Sequence, residues 1–196
     1  MFDRRAFFIR EHVGLLKLKD TYDILDPETQ APLGTAKETT SGWIVALRFL
    51  INKGMLPMSV SIYAQDRDDR PLLTLTRGFT LLRSKVWIVN ATGERIGYFK
   101  SKLFSFGGGF LVYDMHDTKV ADIKGDWKGW NFRFLNAEGR EMGLVTKKWA
   151  GIGKELFTSA DNYLISINDL GKDQAAYGAL LLAAGIAIDT VFKEKG

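Results

Sequence analysis

Few side chains in this sequence have the type and spacing that catalysis or metal binding needs. The two histidines, His12 and His116, lack metal-ligand spacing, and there is no cysteine. That absence removes thiolate ligands, catalytic thiols, disulfides and palmitoylation anchors together, and it fits a reducing interior such as the cytoplasm. Asp66, Asp68 and Asp69 bring three carboxylates close in sequence, but between two apolar runs they read as a solvated hairpin turn. Gly107, Gly108 and Gly109 are not followed by Lys and Ser or Thr, so they form a turn or bulge and not a phosphate-cradling loop. No catalytic residue, metal ligand or cofactor is assigned, and the chain reads as a binding module, not an enzyme.

Positive charge carries more information. The net charge is +4, yet residues 1–80 hold 11 Lys or Arg against 10 Asp or Glu, residues 81–154 hold 13 against 7, and residues 155–196 hold 3 against 6. A basic middle segment favours anionic lipid headgroups or nucleic acid. Lys100, Lys102, Lys124, Lys147 and Lys148 are the candidate lipid-headgroup positions. Gathered on one rim they would form an anion site; scattered, they would be the solvated lysines with which edge strands discourage aggregation.

These lysines punctuate a repeat. An apolar run, a polar turn built on Asp or Asn, and a second run closing on a basic residue recur in YDILDPETQAPLGTAK from Tyr22, VWIVNATGERIGYFK from Val86, FLVYDMHDTKVADIK from Phe110 and FRFLNAEGREMGLVTK from Phe132. A looser copy runs from Val60 to Arg77. Gly97 follows Asn90 by seven residues and Lys100 by ten; Asp114 repeats this with Ala121 and Lys124, and Asn136 with Gly143 and, one step later, Lys147. Short Asn/Asp/Gly turns between β-branched and aromatic runs predict β-hairpins.

Alternation of Met58, Val60 and Ile62 with serines, and of Trp130, Phe132 and Phe134 with polar residues, gives these strands one buried face. Five hairpins plus strands near Leu15–Lys19 and Asn162–Ile167 predict about twelve strands, more than an open twisted sheet holds without curling, and so a closed barrel. GWIVALRFLIN, from Gly42 to Asn52, fits either a short connecting helix or a buried strand. From Ala175 to Ile188 the chain is apolar on every side, which predicts a surrounded helix carrying Tyr177, Leu180, Leu181, Leu182, Ile186, Ile188 and Phe192 into a core, with Asp173 as its N-cap. Fourteen apolar residues fall short of the roughly 20 that span a bilayer. The predicted organisation is therefore one domain over 1–196: an all-β barrel from about 13 to 168, filled by a helix from about 173 to 192. The start of the chain has no secretory leader pattern, so no export and no transmembrane span are expected.

The stretches HVGLLKLKDTYDILDPETQAPLGTAKE, NATGERIGYFK and KKWAGIGKELFTSADNYLISI, together with the apolar C-terminal helix ending in Asp189, resemble the tubby-like superfamily, in particular its phospholipid scramblase and LURP-one-related branch. The resemblance implies a twelve-stranded antiparallel barrel enclosing the C-terminal helix. It also implies three roles: lipid scrambling, phosphoinositide-dependent membrane tethering, or the poorly defined role of the plant branch. The animal scramblases are similar over SADNYLISINDL, where they carry an acidic calcium-loop-like segment. Here Ser159 takes the first acidic position and Leu170 the last, with only Asp161 retained, so calcium-triggered scrambling is disfavoured. The expectation is a cytoplasmic module, peripheral at the inner membrane face, that binds anionic phospholipid; lipid translocation and nucleic-acid binding are the alternatives. Neither a ligand nor an oligomeric state follows from the sequence.

Overall fold

The computed structural model describes residues 1–12, 19–51, 55–65, 69–80, 85–101, 109–126, 130–147, 162–168 and 174–189. Twelve strands form a closed antiparallel barrel. In chain order they are β1 (Ala6–Glu11), β2 (Thr21–Leu25), β3 (Pro32–Glu38), β4 (Met58–Ala64), β5 (Leu73–Arg77), β6 (Lys85–Asn90), β7 (Arg95–Ser101), β8 (Gly109–Asp114), β9 (Lys119–Asp126), β10 (Asn131–Leu135), β11 (Glu141–Thr146) and β12 (Tyr163–Ile167). Each pairs with its neighbours in sequence, and β1 closes on β12 through Phe7 opposite Ile165 and Ile9 opposite Tyr163. The barrel thus begins at Ala6, earlier than expected: the run Phe7-Phe8-Ile9 supplies the first strand, while most of the segment anticipated as a strand, Leu15 to Lys19, lies outside the described residues.

Four of the five tight turns share one construction. Asn90 Oδ1 accepts hydrogen bonds from the backbone N–H groups of Thr92 (3.0 Å) and Glu94 (2.9 Å), and Gly93 adopts φ +86°. Asp114 does the same for His116 and Thr118 with Asp117 at φ +58°, and Asn136 for Glu138 and Arg140 with Gly139 at φ +79°. Asp26 accepts from Glu28 and Thr29, with Gln30 at φ +58°. A left-handed residue closing a turn inserts one extra residue and makes a bulge. The register accordingly shifts beside all four turns, between Ile24 and Leu25, Ile88 and Val89, Val112 and Tyr113, and Phe134 and Leu135.

The small residue seven places after each of Asn90, Asp114 and Asn136 faces inward, as pairing of Gly97 with Ile88, Ala121 with Val112 and Gly143 with Phe134 shows. The space is needed. A Cβ on Gly97 would lie 3.2 Å from Leu180 Cδ2 of the helix α2 (Gln174–Ala187), which runs through the barrel. Gly185 does the reciprocal service on the helix, where a Cβ would meet Ile165 Cδ1 at 2.4 Å. Twelve strands enclose more volume than their own side chains fill. The helix fills it: Leu181, Leu182, Ala183, Ala184, Ile186, Ala187 and Ile188 have no exposed surface, and Leu180 is buried with them. Tyr177 is only partly buried at the helix entrance, and Phe192 and Asp173 lie outside the described residues.

The second helix, α1 (Gly42–Leu47), resolves the ambiguous segment as a connecting helix between β3 and β4. Its Val45 is buried, whereas Trp43 and Ala46 are exposed.

Candidate functional site

Antiparallel connectivity gives the barrel two unlike ends. At the turn end, five tight turns and the β12–α2 connection leave the strands; at the loop end lie the other six connections, β1–β2, β3–β4, β5–β6, β7–β8, β9–β10 and β11–β12. The six loop-end connections contain ten Lys or Arg against three Asp or Glu, and nine aromatic residues that include four of the five tryptophans. The six turn-end connections contain four Lys or Arg against ten Asp or Glu, and no aromatic residue.

The candidate lysines belong to the loop end. Lys100 is near the end of β7, directly opposite Lys85 of β6; Lys124 of β9 is opposite Arg133 of β10; Lys147 follows β11. Since Phe99, Ile123 and Phe132 face the core, Lys100, Lys124 and Arg133 point outward. Adjacent strands lie about 4.8 Å apart, so β7 and β9 place their lysines roughly 10 Å apart along the rim. Lys102 and Lys148 lie outside the described residues. The structure adds Lys37, Lys85 and Arg133, which sequence reading did not single out although the strand register puts them on the same rim.

Aromatic rings hold several of these cations. Lys85 Nζ lies 3.9 Å from the centre of the Trp87 ring and 3.7 Å from that of Tyr98, and Lys147 Nζ lies 4.3 Å from that of Trp130. Cation–π attraction of this kind fixes an ammonium without neutralising it. Trp130 itself stands at φ +46°, a conformation rare for a bulky residue, with its ring 5.2 Å from Tyr163. On the outer wall Tyr98 stacks on Tyr113 at 4.9 Å and donates to Asp117 (2.7 Å); burial and that bond push its hydroxyl up to about 12.

Just inside the loop end sits a buried polar layer. Tyr22 donates to Asp189 Oδ2 at 2.8 Å, at the exit of the helix. Burial, and then the Asp189 carboxylate, push the hydroxyls of Tyr22 and of the fully buried Tyr163 well above the usual tyrosine range. Arg77 donates to the Leu56 carbonyl at 3.0 Å, and Arg48 of the α1 connection is bonded to buried Glu38 of β3 through both its terminal nitrogens.

His12 pairs with Asp23 at 2.8 Å beside Arg10. Burial alone would raise the Asp23 carboxyl, but hydrogen bonds from Arg10 and His12 hold it below the ordinary range. His116 is exposed in the β8–β9 turn, and Asp69 lies 4.0 Å from Arg70 on the surface; Asp66 and Asp68 are outside the described residues. Gly109 opens β8, and Gly107 and Gly108 are again outside them. Among the described residues no cluster of three metal-ligating side chains occurs, and no helix is long and apolar enough to cross a membrane. The calcium-loop positions Ser159, Asp161 and Leu170 fall outside the described residues.

A cavity of about 460 Å³ opens at the turn end, between the β8–β9 and β10–β11 turns, with Lys119, Arg140, Glu138 and Glu141 in its wall and Tyr177 at its floor. Its charges are balanced, so it has no preference for an anion.

Comparison with known proteins agrees with this architecture. The X-ray structure of a protein from Arabidopsis thaliana superposes with a TM-score of 0.53 at 10% sequence identity, covering 94% of this chain and 92% of that one, a likeness of the tubby-like fold alone. No curated protein matches the chain in sequence. The Scramblase family model matches residues 21–195, nearly the whole barrel and its helix, and the chain therefore belongs to the Scramblase family.

Proposed function

We propose that the chain is a non-enzymatic, cytoplasmic module that lays the loop end of its barrel on a bilayer containing anionic phospholipid. The observation that carries this reading is the segregation of charge and aromatic residues to opposite ends: ten cationic side chains, against three acidic, accompany every loop-end aromatic. Each Lys or Arg close to an anionic membrane surface contributes about 1 kcal/mol. Lys100, Lys124 and Lys147, with Lys37, Lys85 and Arg133, are the headgroup-facing residues of this reading, and Lys102 and Lys148 join them from sequence. The acidic turn end is repelled by the same surface, so charge alone sets the orientation.

Lipid translocation by exit of the helix is less favoured. The 14 residues of α2 extend about 21 Å, short of the roughly 30 Å hydrocarbon layer, and their removal would empty the barrel. Nucleic acid would be drawn to the same cations, but the exposed apolar residues beside them have no use on a phosphate backbone.

Flotation of the purified chain with vesicles tests the proposal. Binding is expected to vesicles containing phosphatidylserine and not to pure phosphatidylcholine, and to weaken as salt shortens the screening length. Equal binding to both, or to neither, overturns it.

A further inference from the structure

We propose that α1, the residues Phe49, Leu50, Ile51 and Met55 after it, and Phe79 beyond β5 form an apolar wedge at the loop end that enters the boundary between headgroups and acyl chains of an anionic bilayer. This inference rests on the membrane reading above and adds to it the part of the surface that inserts. Among the described residues seven large hydrophobic side chains are exposed, and six of them lie here: Trp43 (63%), Phe49 (78%), Leu50 (83%), Ile51 (39%), Met55 (37%) and Phe79 (67%). The β3–β4 and β5–β6 connections are joined, because Thr80 donates its backbone N–H to the Met55 carbonyl at 3.0 Å.

The helix is turned inside out. In a surface helix the apolar stripe faces the core and polar residues face water. Here α1 turns Val45 toward the barrel, where the Arg48–Glu38 ion pair follows it, while Trp43 and Ala46 of the helix and Phe49 and Leu50 of the turn after it are exposed. Arg77, reaching the Leu56 carbonyl, ties down the far end of the same connection. The exposed side chains are therefore held out by a fixed base.

Charge decides what covers them. Arg48 is neutralised by Glu38, but in sequence residues 39–57 and 78–84 also contain Lys53 and Arg83 and no Asp or Glu, and Lys37 and Lys85 flank them on the neighbouring strands. A second copy of the chain docking patch to patch would bring these cations face to face. An anionic bilayer offers the opposite charge at the height of the cations and hydrocarbon just below it, the pairing that interfacial helices with Trp, Phe and Leu on one side and basic residues beside them exploit.

The chain has no cysteine, so one introduced thiol can be labelled uniquely. We would compare a polarity-sensitive fluorophore attached through Phe49→Cys with the same label attached through Glu138→Cys, an exposed position at the turn end. On adding phosphatidylserine vesicles, the label at position 49 is expected to brighten and shift to the blue, and the label at 138 to stay unchanged. The double change Phe49→Ser/Leu50→Ser, at two solvent-exposed positions, is expected to weaken vesicle binding at least tenfold with the melting temperature unchanged. If the unaltered chain floats with anionic vesicles while the label at 49 is silent, the wedge is overturned and electrostatic docking survives. If the unaltered chain does not float, both readings fall. A shift at 49 that needs no vesicles and grows with protein concentration would identify a second copy as the partner and overturn the wedge.

Discussion

The two ends of the barrel are built from the same strands and obey different rules. At the turn end each connection is four to eight residues long, and four of the five turns are stabilised by a side-chain oxygen that satisfies nearby backbone N–H groups. Everything that end needs is local. At the loop end connections reach nineteen residues, cations far apart in sequence face one another across strand pairs, and aromatic side chains stand in water. An end shaped for folding alone would resemble the first; the second carries features that folding does not require.

The largest effect tests whether the two ends depend on one another. α2 enters at the turn end and finishes beside Tyr22 at the loop end. Each buried Leu or Ile of the helix contributes about 1.5–3 kcal/mol, so Leu180, Leu181, Leu182 and Ile186 together contribute about 6–12 kcal/mol, comparable to the 5–15 kcal/mol by which a domain is normally stable. A chain ending at residue 173 is expected to lose cooperative melting by circular dichroism altogether. A sharp transition in that truncated chain would show that the ends hold themselves.

Next comes the charge contrast. Lys85→Glu/Lys100→Glu/Lys124→Glu at the loop end is expected to weaken binding to anionic vesicles on the order of a hundredfold, three cations at about 1 kcal/mol each. Lys119→Glu/Arg140→Glu at the turn end is expected to leave it unchanged in the same flotation assay. Equal losses from the two sets would dissolve the distinction between the ends.

A smaller effect sharpens the inner polar layer of the loop end. Tyr22→Phe removes the hydrogen bond to Asp189 and is expected to cost about 1–3 kcal/mol in denaturant melts. It also changes the alkaline response. Because the folded state raises the Tyr22 and Tyr163 hydroxyls above their unfolded value near 10, their protonated forms support the fold fully below about pH 10, and that support is lost as pH rises beyond it. The variant, with one such hydroxyl left, should lose stability less steeply above pH 10.

The same contrast explains what the sequence could reveal. The Asn90, Asp114 and Asn136 turns were legible because their chemistry spans five residues, and the buried helix because fourteen apolar residues on every side leave it no other environment. The seven-residue offset to Gly97, Ala121 and Gly143 was visible as a pattern, but its purpose appears only when the strands are wrapped together: Gly97 leaves room for Leu180 of α2, and Gly143 for the β12 backbone at Ser166. The first strand was missed because no tight turn joins Phe7-Phe8-Ile9 to a partner: nine residues separate it from β2, and its other neighbour, β12, comes from the far end of the sequence. Tyr22 and Asp189 meet across 167 residues, and Lys85 and Lys100 become neighbours only through strand register. Of the candidate lysines, three could be placed on a shared rim; the apolar group of Trp43, Phe49 and Leu50 was read only as a connecting element, because exposure is a property of the folded surface and not of residue type.

The seam between β1 and β12 sets the timetable of biosynthesis. Phe7 and Ile9 leave the ribosome before every other strand of the barrel yet find Ile165 and Tyr163 only after the ten strands between have been made, and the plug that fills the cylinder follows later still. Outward-facing Phe8 and Leu164 are buried at the same joint, so until it shuts the opening edges are greasy on both faces as well as unpaired. Long-range closure of this kind is slow and leaves an adhesive intermediate. A nascent chain stalled before β12 should therefore engage chaperones, whereas one stalled after release of α2 should resist proteases.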